Sequence, residues 1–96
     1  MEILVTYDVA TDTAEGQRRL RRVAKACEAF GQRVQKSVFE CTLSPADLER
    51  LKRKLLTIIK DSQDSLRFYR LPEPRSKYVQ VYGRSLPYDL HDPLVA

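Results

Sequence analysis

Eight residues near the start of the chain, EILVTYDV at 2–9, are apolar in both phases of a β-strand. Ile3, Val5 and Tyr7 alternate with Leu4, Thr6 and Asp8. A strand with one wet face alternates apolar with polar, whereas a strand apolar in both phases belongs in the middle of a sheet, covered on both sides. The chain has 96 residues, room for one domain around one such sheet. The run stops at Asp8, and ATDT follows, with Thr11, Asp12 and Thr13 as N-cap candidates.

Beyond that loop the apolar period changes. Leu20, Val23, Ala24, Cys27 and Phe30 recur at helical spacing, which predicts a helix over 13–30. Arg18, Arg21, Arg22 and Lys25 fall opposite that stripe, and Gly31 is a natural C-terminal stop. QRVQKSVFECTL, at 32–43, alternates again. It fits two short strands, 33–36 and 38–43, turning near Ser37, or one long bent strand. SPAD at 44–47 starts a second helix, with Ser44 as cap and Pro45 in the first turn. Its stripe is Leu48, Leu51, Leu55, Ile58 and Ile59, running to about Lys60. DSQD turns the chain into SLRFYRL at 65–71, PEPRS at 72–76 reads as a stiff linker, and KYVQVYG at 77–83 as one more strand.

This order predicts an α+β, ferredoxin-like βαββαβ fold: one antiparallel sheet with both helices on one face and an additional C-terminal strand. The single domain spans 1–96. Its core is 1–71, and 72–96 is linker, strand and tail for contact with a dimer mate or partner. A sheet face left bare by a small domain is a good surface for a homodimer, and the extra strand can pair with the sheet edge of the mate.

There are 17 Lys and Arg against 13 Asp and Glu, a net charge of +4. That balance suits anionic partners, nucleic acid above all, but also serves plain solubility. Four arginines in five positions (Arg18, Arg19, Arg21 and Arg22) exceed what solubility needs, and guanidinium forks match phosphate oxygens. Arg33 reads as an edge-strand charge or a phosphate clamp. Cys27 and Cys41 lack zinc-site spacing and read as buried free thiols. No apolar run is long enough to span a membrane, and Met1 leads straight into a strand, so a cytoplasmic setting is expected.

Asp8 is the most informative residue. A carboxylate closing a central strand is costly unless solvated, used as a cap, or bound to a cation. Mg²⁺ or Mn²⁺ takes hard oxygen donors and keeps several waters. One carboxylate does not hold a catalytic ion alone, and no second lies in register. Two Asp8 residues meeting across a dimer axis supply the pair, able to activate a water against a phosphodiester. Tyr7 and Phe39 read first as core. His91 has no triad partners, and no glycine-rich phosphate motif is present.

LVTYDV at 4–9, RRLRRVAKAC at 18–27 and, most specifically, GQRVQKSVFEC at 31–41 resemble the CRISPR-associated protein two family. SLRFYRL at 65–71 and LHDPLVA at 90–96 also fit, and point to the variant found with type I-C systems. The resemblance implies a ferredoxin-like homodimer whose last strand crosses to the mate, taking part in CRISPR spacer acquisition. It implies that Asp8 of each chain shares one Mg²⁺. Tyr7, Arg22, Arg33, Ser37 and Phe39 match positions linked with nuclease activity in some members. Family activities vary: RNA cleavage, double-stranded DNA cleavage, or none. The dimer bridges two dimers of an integrase partner and holds duplex DNA by its backbone. Two functions therefore stand at this point: a metal-dependent endonuclease with Asp8, Tyr7 and Ser37 catalytic, or a non-catalytic DNA-binding adaptor with Asp8 structural.

Overall fold

The computed structural model describes residues 1–83. Its elements are β1 (Glu2–Asp8), α1 (Ala14–Glu28), β2 (Gln32–Gln35), β3 (Val38–Thr42), α2 (Pro45–Ile58) and β4 (Ser65–Leu71). The strands form one antiparallel sheet in the order β2-β3-β1-β4. This is the expected α+β arrangement, with β1 inside and β2 and β4 at the edges. Of the two readings of 32–43, the two-strand one is observed, with an irregular register between Arg33 and Gln35.

Both helices start where cap chemistry allows. Thr13 is extended and its side chain accepts the Gly16 N–H at 3.0 Å, while Ser44 does the same for Asp47 at 3.1 Å. These bonds satisfy amides that a helix start leaves without partners. The helices cover one face of the sheet only. Their buried residues, Val23, Ala24, Ala26, Cys27, Leu51, Leu55 and Ile58, share a core with Ile3, Val5, Tyr7, Phe39 and Cys41.

Three expectations are corrected. α1 ends at Glu28 rather than Phe30, and Gly31 is not the left-handed stop. Gly31 is there because a Cβ would collide with Cys41 Sγ and the Glu40 carbonyl, so a bare Cα lets the chain turn tightly against β3. Among the described residues β1 is covered fully on one face only, since Leu4 and Thr6 are half-buried and Asp8 is exposed. The strand expected over 77–83 is not formed. Arg75–Lys77 is a single 3-10 turn and 79–82 is irregular, because none of the four strands of this chain takes it as a neighbour. Val79, Gln80, Val81 and Tyr82 instead lie along a groove with Leu4, Val34, Val38 and Glu40, on the face opposite the helices. His91 and the tail from Leu86 onward fall outside the described residues.

Candidate functional site

β1 delivers Asp8 to the end of the sheet. Cross-strand pairing runs unbroken from Glu2↔Leu71 to Asp8↔Ser65, so the register of Asp8 is fixed by β4. Asp8 alternates out of phase with the buried Ile3, Val5 and Tyr7, and so points to the face that the helices leave open. The cap of α1 is Thr13, so capping is not the duty of Asp8.

Tyr7 and Asp8, adjacent in sequence, sit on opposite faces. Tyr7 is buried, stacks on Phe39 with ring centroids 6.3 Å apart, and donates a long hydrogen bond to the Lys36 carbonyl at 3.5 Å. Burial pushes its phenol above the ordinary value, opposed by the nearby Arg33 guanidinium. The phenol therefore keeps its proton at neutral pH, and packing is its visible role. Arg33 lies over the Phe39 ring at 5.2 Å. Ser37 is half-buried in the β2–β3 turn, where its carbonyl accepts the Tyr7 N–H at 3.1 Å. Tyr7, Arg33, Ser37 and Phe39 thus meet beneath the sheet end, while Asp8 projects from the other side.

The cations divide similarly. Arg22 and Lys25 line a groove between the helices with Lys54 and Thr57 of α2, over Ala26, Ala29 and Ile58. Arg18, Arg19 and Arg22 line the adjoining cleft together with Glu15, and Arg21 is exposed nearby on α1. Arg19 departs from the expected phosphate-binding row. Its Nε donates to Asp64 Oδ2 at 2.8 Å and its Nη2 to Asp64 Oδ1 and Gln63 Oε1, both at 3.2 Å. Arg33 also stands apart, on the sheet over Phe39.

From the sequence, Asp64 reads only as part of the polar turn DSQD. Its side chain is fully buried, and it also accepts the Ala10 N–H at 3.1 Å and the Lys60 N–H at 2.8 Å. Burial opposes its ionisation, but Arg19 and the two amides outweigh burial and hold its carboxyl below the ordinary range. Nothing local in DSQD signals this, since all three partners come from elsewhere in the chain or from the preceding helix end.

Cys27 and Cys41 are buried free thiols, as expected. Burial pushes Cys27 up to about 12 and Cys41 up to about 11, so neither is a nucleophile at neutral pH. Among the described residues no three His, Cys, Asp or Glu side chains come together as metal ligands. The exposed Asp8 offers oxygen donors of the kind that Mg²⁺ or Mn²⁺ takes. No helix among the described residues is long and apolar enough to cross a membrane.

Residues 1–79 match the family model for CRISPR associated protein Cas2. The chain is 57% identical over 95 residues to a Moorella thermoacetica protein designated CRISPR-associated endoribonuclease Cas2 1, with 99% of each chain covered. It is 47% identical, again over 99% of both chains, to a Halalkalibacterium halodurans protein designated CRISPR-associated endonuclease Cas2. Its fold superposes on the crystal structure of Streptococcus pyogenes Cas2 with a TM-score of 0.79 and 49% identity, covering 86% of this chain and all of that one.

Proposed function

The chain belongs to the CRISPR-associated Cas2 family, and we propose that it acts in spacer acquisition as a homodimer that grips duplex DNA, bridges the integrase partner and cleaves phosphodiesters with a divalent cation. The observation that carries this reading is the placement of Asp8: exposed, register-fixed, and on the uncovered face of the sheet. Two copies meeting through that face bring two Asp8 side chains toward one axis and leave each helix layer outward, with Arg18, Arg21, Arg22 and Lys25 on it. Arginines repeated by a twofold track a phosphate backbone without reading bases.

Asp8 of each copy would contribute oxygen donors to Mg²⁺ or Mn²⁺. The ion when bound supplies water activation and charge relief at phosphorus. Tyr7, protonated and stacked on Phe39, holds the strand end from below. Ser37 fixes that same end through its carbonyl rather than through its hydroxyl. Cytoplasmic CRISPR machinery is the setting this role implies. The relatives' names include both endoribonuclease and endonuclease, so single-stranded RNA and duplex DNA are both substrates to assay.

Asp8→Ala should lower Mg²⁺- or Mn²⁺-dependent cleavage on the order of 100-fold. Duplex affinity and dimer mass should stay unchanged. Cleavage as fast as wild type at matched metal would sink the catalytic reading. Full spacer acquisition by that variant would leave the adaptor role standing alone. Duplex binding should weaken with salt by about 0.9 log units per log unit of salt for each phosphate contacted. Arg21→Ala with Arg22→Ala should flatten that slope, and an unchanged slope would remove α1 from the interface.

A further inference from the structure

Ala10, two residues beyond Asp8, is constrained through both of the peptide units that flank its Cα. Its N–H goes to the buried Asp64 carboxylate at 3.1 Å. Its carbonyl lies so close to Gly16 that a Cβ there would overlap it. The two contacts come from different elements: Asp64 from the segment entering β4, Gly16 from the first turn of α1. Asp64 is itself held by Arg19 of α1 at 2.8 Å and by the Lys60 amide after α2 at 2.8 Å. Three parts of the fold, α1, the end of α2 and the segment entering β4, therefore converge on the loop that follows Asp8.

We propose that Asp64 is a positioning residue for Asp8, acting with Arg19 and Gly16 to lock Ala10. This rests on the reading of Asp8 as the reactive carboxylate. β1 fixes Asp8 from the N-terminal side through its pairing with Ser65, and the lock fixes it from the C-terminal side. A carboxylate meeting its twin across an axis doubles any error in its own placement, so a free loop on one side would not suffice. The lock needs an ionised Asp64: a neutral carboxamide keeps the shape but gives up the ion pair with Arg19 and turns an N–H toward one of its donors.

The test uses the full chain with three substitutions: Asp64→Asn, Gly16→Ala and, as a core control at the opposite end of the sheet, Leu43→Val. Cleavage of single-stranded RNA and duplex DNA is followed with Mn²⁺, alongside amide hydrogen exchange. We expect kcat to fall about 10-fold in Asp64→Asn and in Gly16→Ala with KM within twofold, as for residues that orient a ligand. The Leu43→Val protein should keep both constants. Exchange at Val9 and Ala10 should quicken in the two lock variants, with Val5 unchanged. Equal kcat losses in all three proteins, or unaltered exchange at Ala10 in Asp64→Asn, would overturn the proposal. If the wild type cleaves neither substrate, the catalytic reading of Asp8 has failed, and exchange alone decides the lock.

Discussion

Every second side chain of β1 lies on a finished surface, and the others on an unfinished one. Toward the helices, Ile3, Val5 and Tyr7 keep 3%, 0% and 5% of their surface. Toward the other side, Leu4 and Thr6 are half-buried, Asp8 is exposed, and Tyr69 on the neighbouring strand keeps 42%. The same backbone serves both, so the difference comes from what the chain supplies to cover each face. The crossovers of this fold deliver both helices to one side. The irregular segment 79–82 reaches the other side but leaves Val81 and Tyr82 at 79% and 84% exposure. Among the described residues, stability is thus made on the helix side, while the open side keeps apolar surface exposed.

This contrast can be tested by substitution. Phe39→Ala, on the finished side, should cost about 4 kcal/mol in urea unfolding, the same at every protein concentration. Dependence on concentration would mean that the helix-side core is not complete in one chain. Asp64→Asn should flatten the acid limb of stability. The carboxyl of Asp64 is held below its ordinary value, so the unfolded chain binds its proton more readily. The stabilisation is therefore whole above the ordinary carboxylate range and is lost as pH falls from there through the lowered value of the folded state. An acid limb as steep in the variant as in wild type would show that Arg19 and Asp64 do not act as a charged pair. Tyr69→Ala, on the unfinished side, should change unfolding of dilute protein by less than about 0.5 kcal/mol. It should nonetheless weaken self-association about tenfold, or ~1.4 kcal/mol, by ultracentrifugation. A loss of stability like that of Phe39→Ala would erase the distinction between the faces. Thr13→Ala should cost about 1 kcal/mol through its cap, with no effect on association.

The helix side was legible in the sequence because its code is local. Period 3.6 in α1 and α2, Thr13 and Ser44 as caps, and alternation in β1 and β3 each state their structure within a few residues. What the sequence did not disclose depends on distant parts of the chain. Asp64 gains its meaning from Arg19, 45 positions away, and Ala10, 54 positions away. Gly31 reads as a helix stop until Cys41 is seen against it. Arg19 reads as one more cation in a basic row until Asp64 takes it up. KYVQVYG has the composition of a strand, but a strand needs a neighbour, and the alternation of side chains does not say which chain provides it. At the candidate site, Asp8 stood out by charge at a strand end. Its separation from Tyr7 follows from alternation alone, whereas the lock on Ala10 does not.

Arg75 has a consequence for any meeting of the open face with its own likeness. Its Nη1 lies 2.7 Å from Glu2 Oε1 and its Nε 3.5 Å from Glu40 Oε1, both carboxylates in the open phase of the sheet. A surface that pairs with itself meets each of its charges a second time, so two bare glutamates would become four acids facing one another. A guanidinium carried in by the linker cancels much of that self-repulsion within the protomer, before any encounter. Asp8, outside the reach of those two ion pairs, is left as a charge that twinning would concentrate.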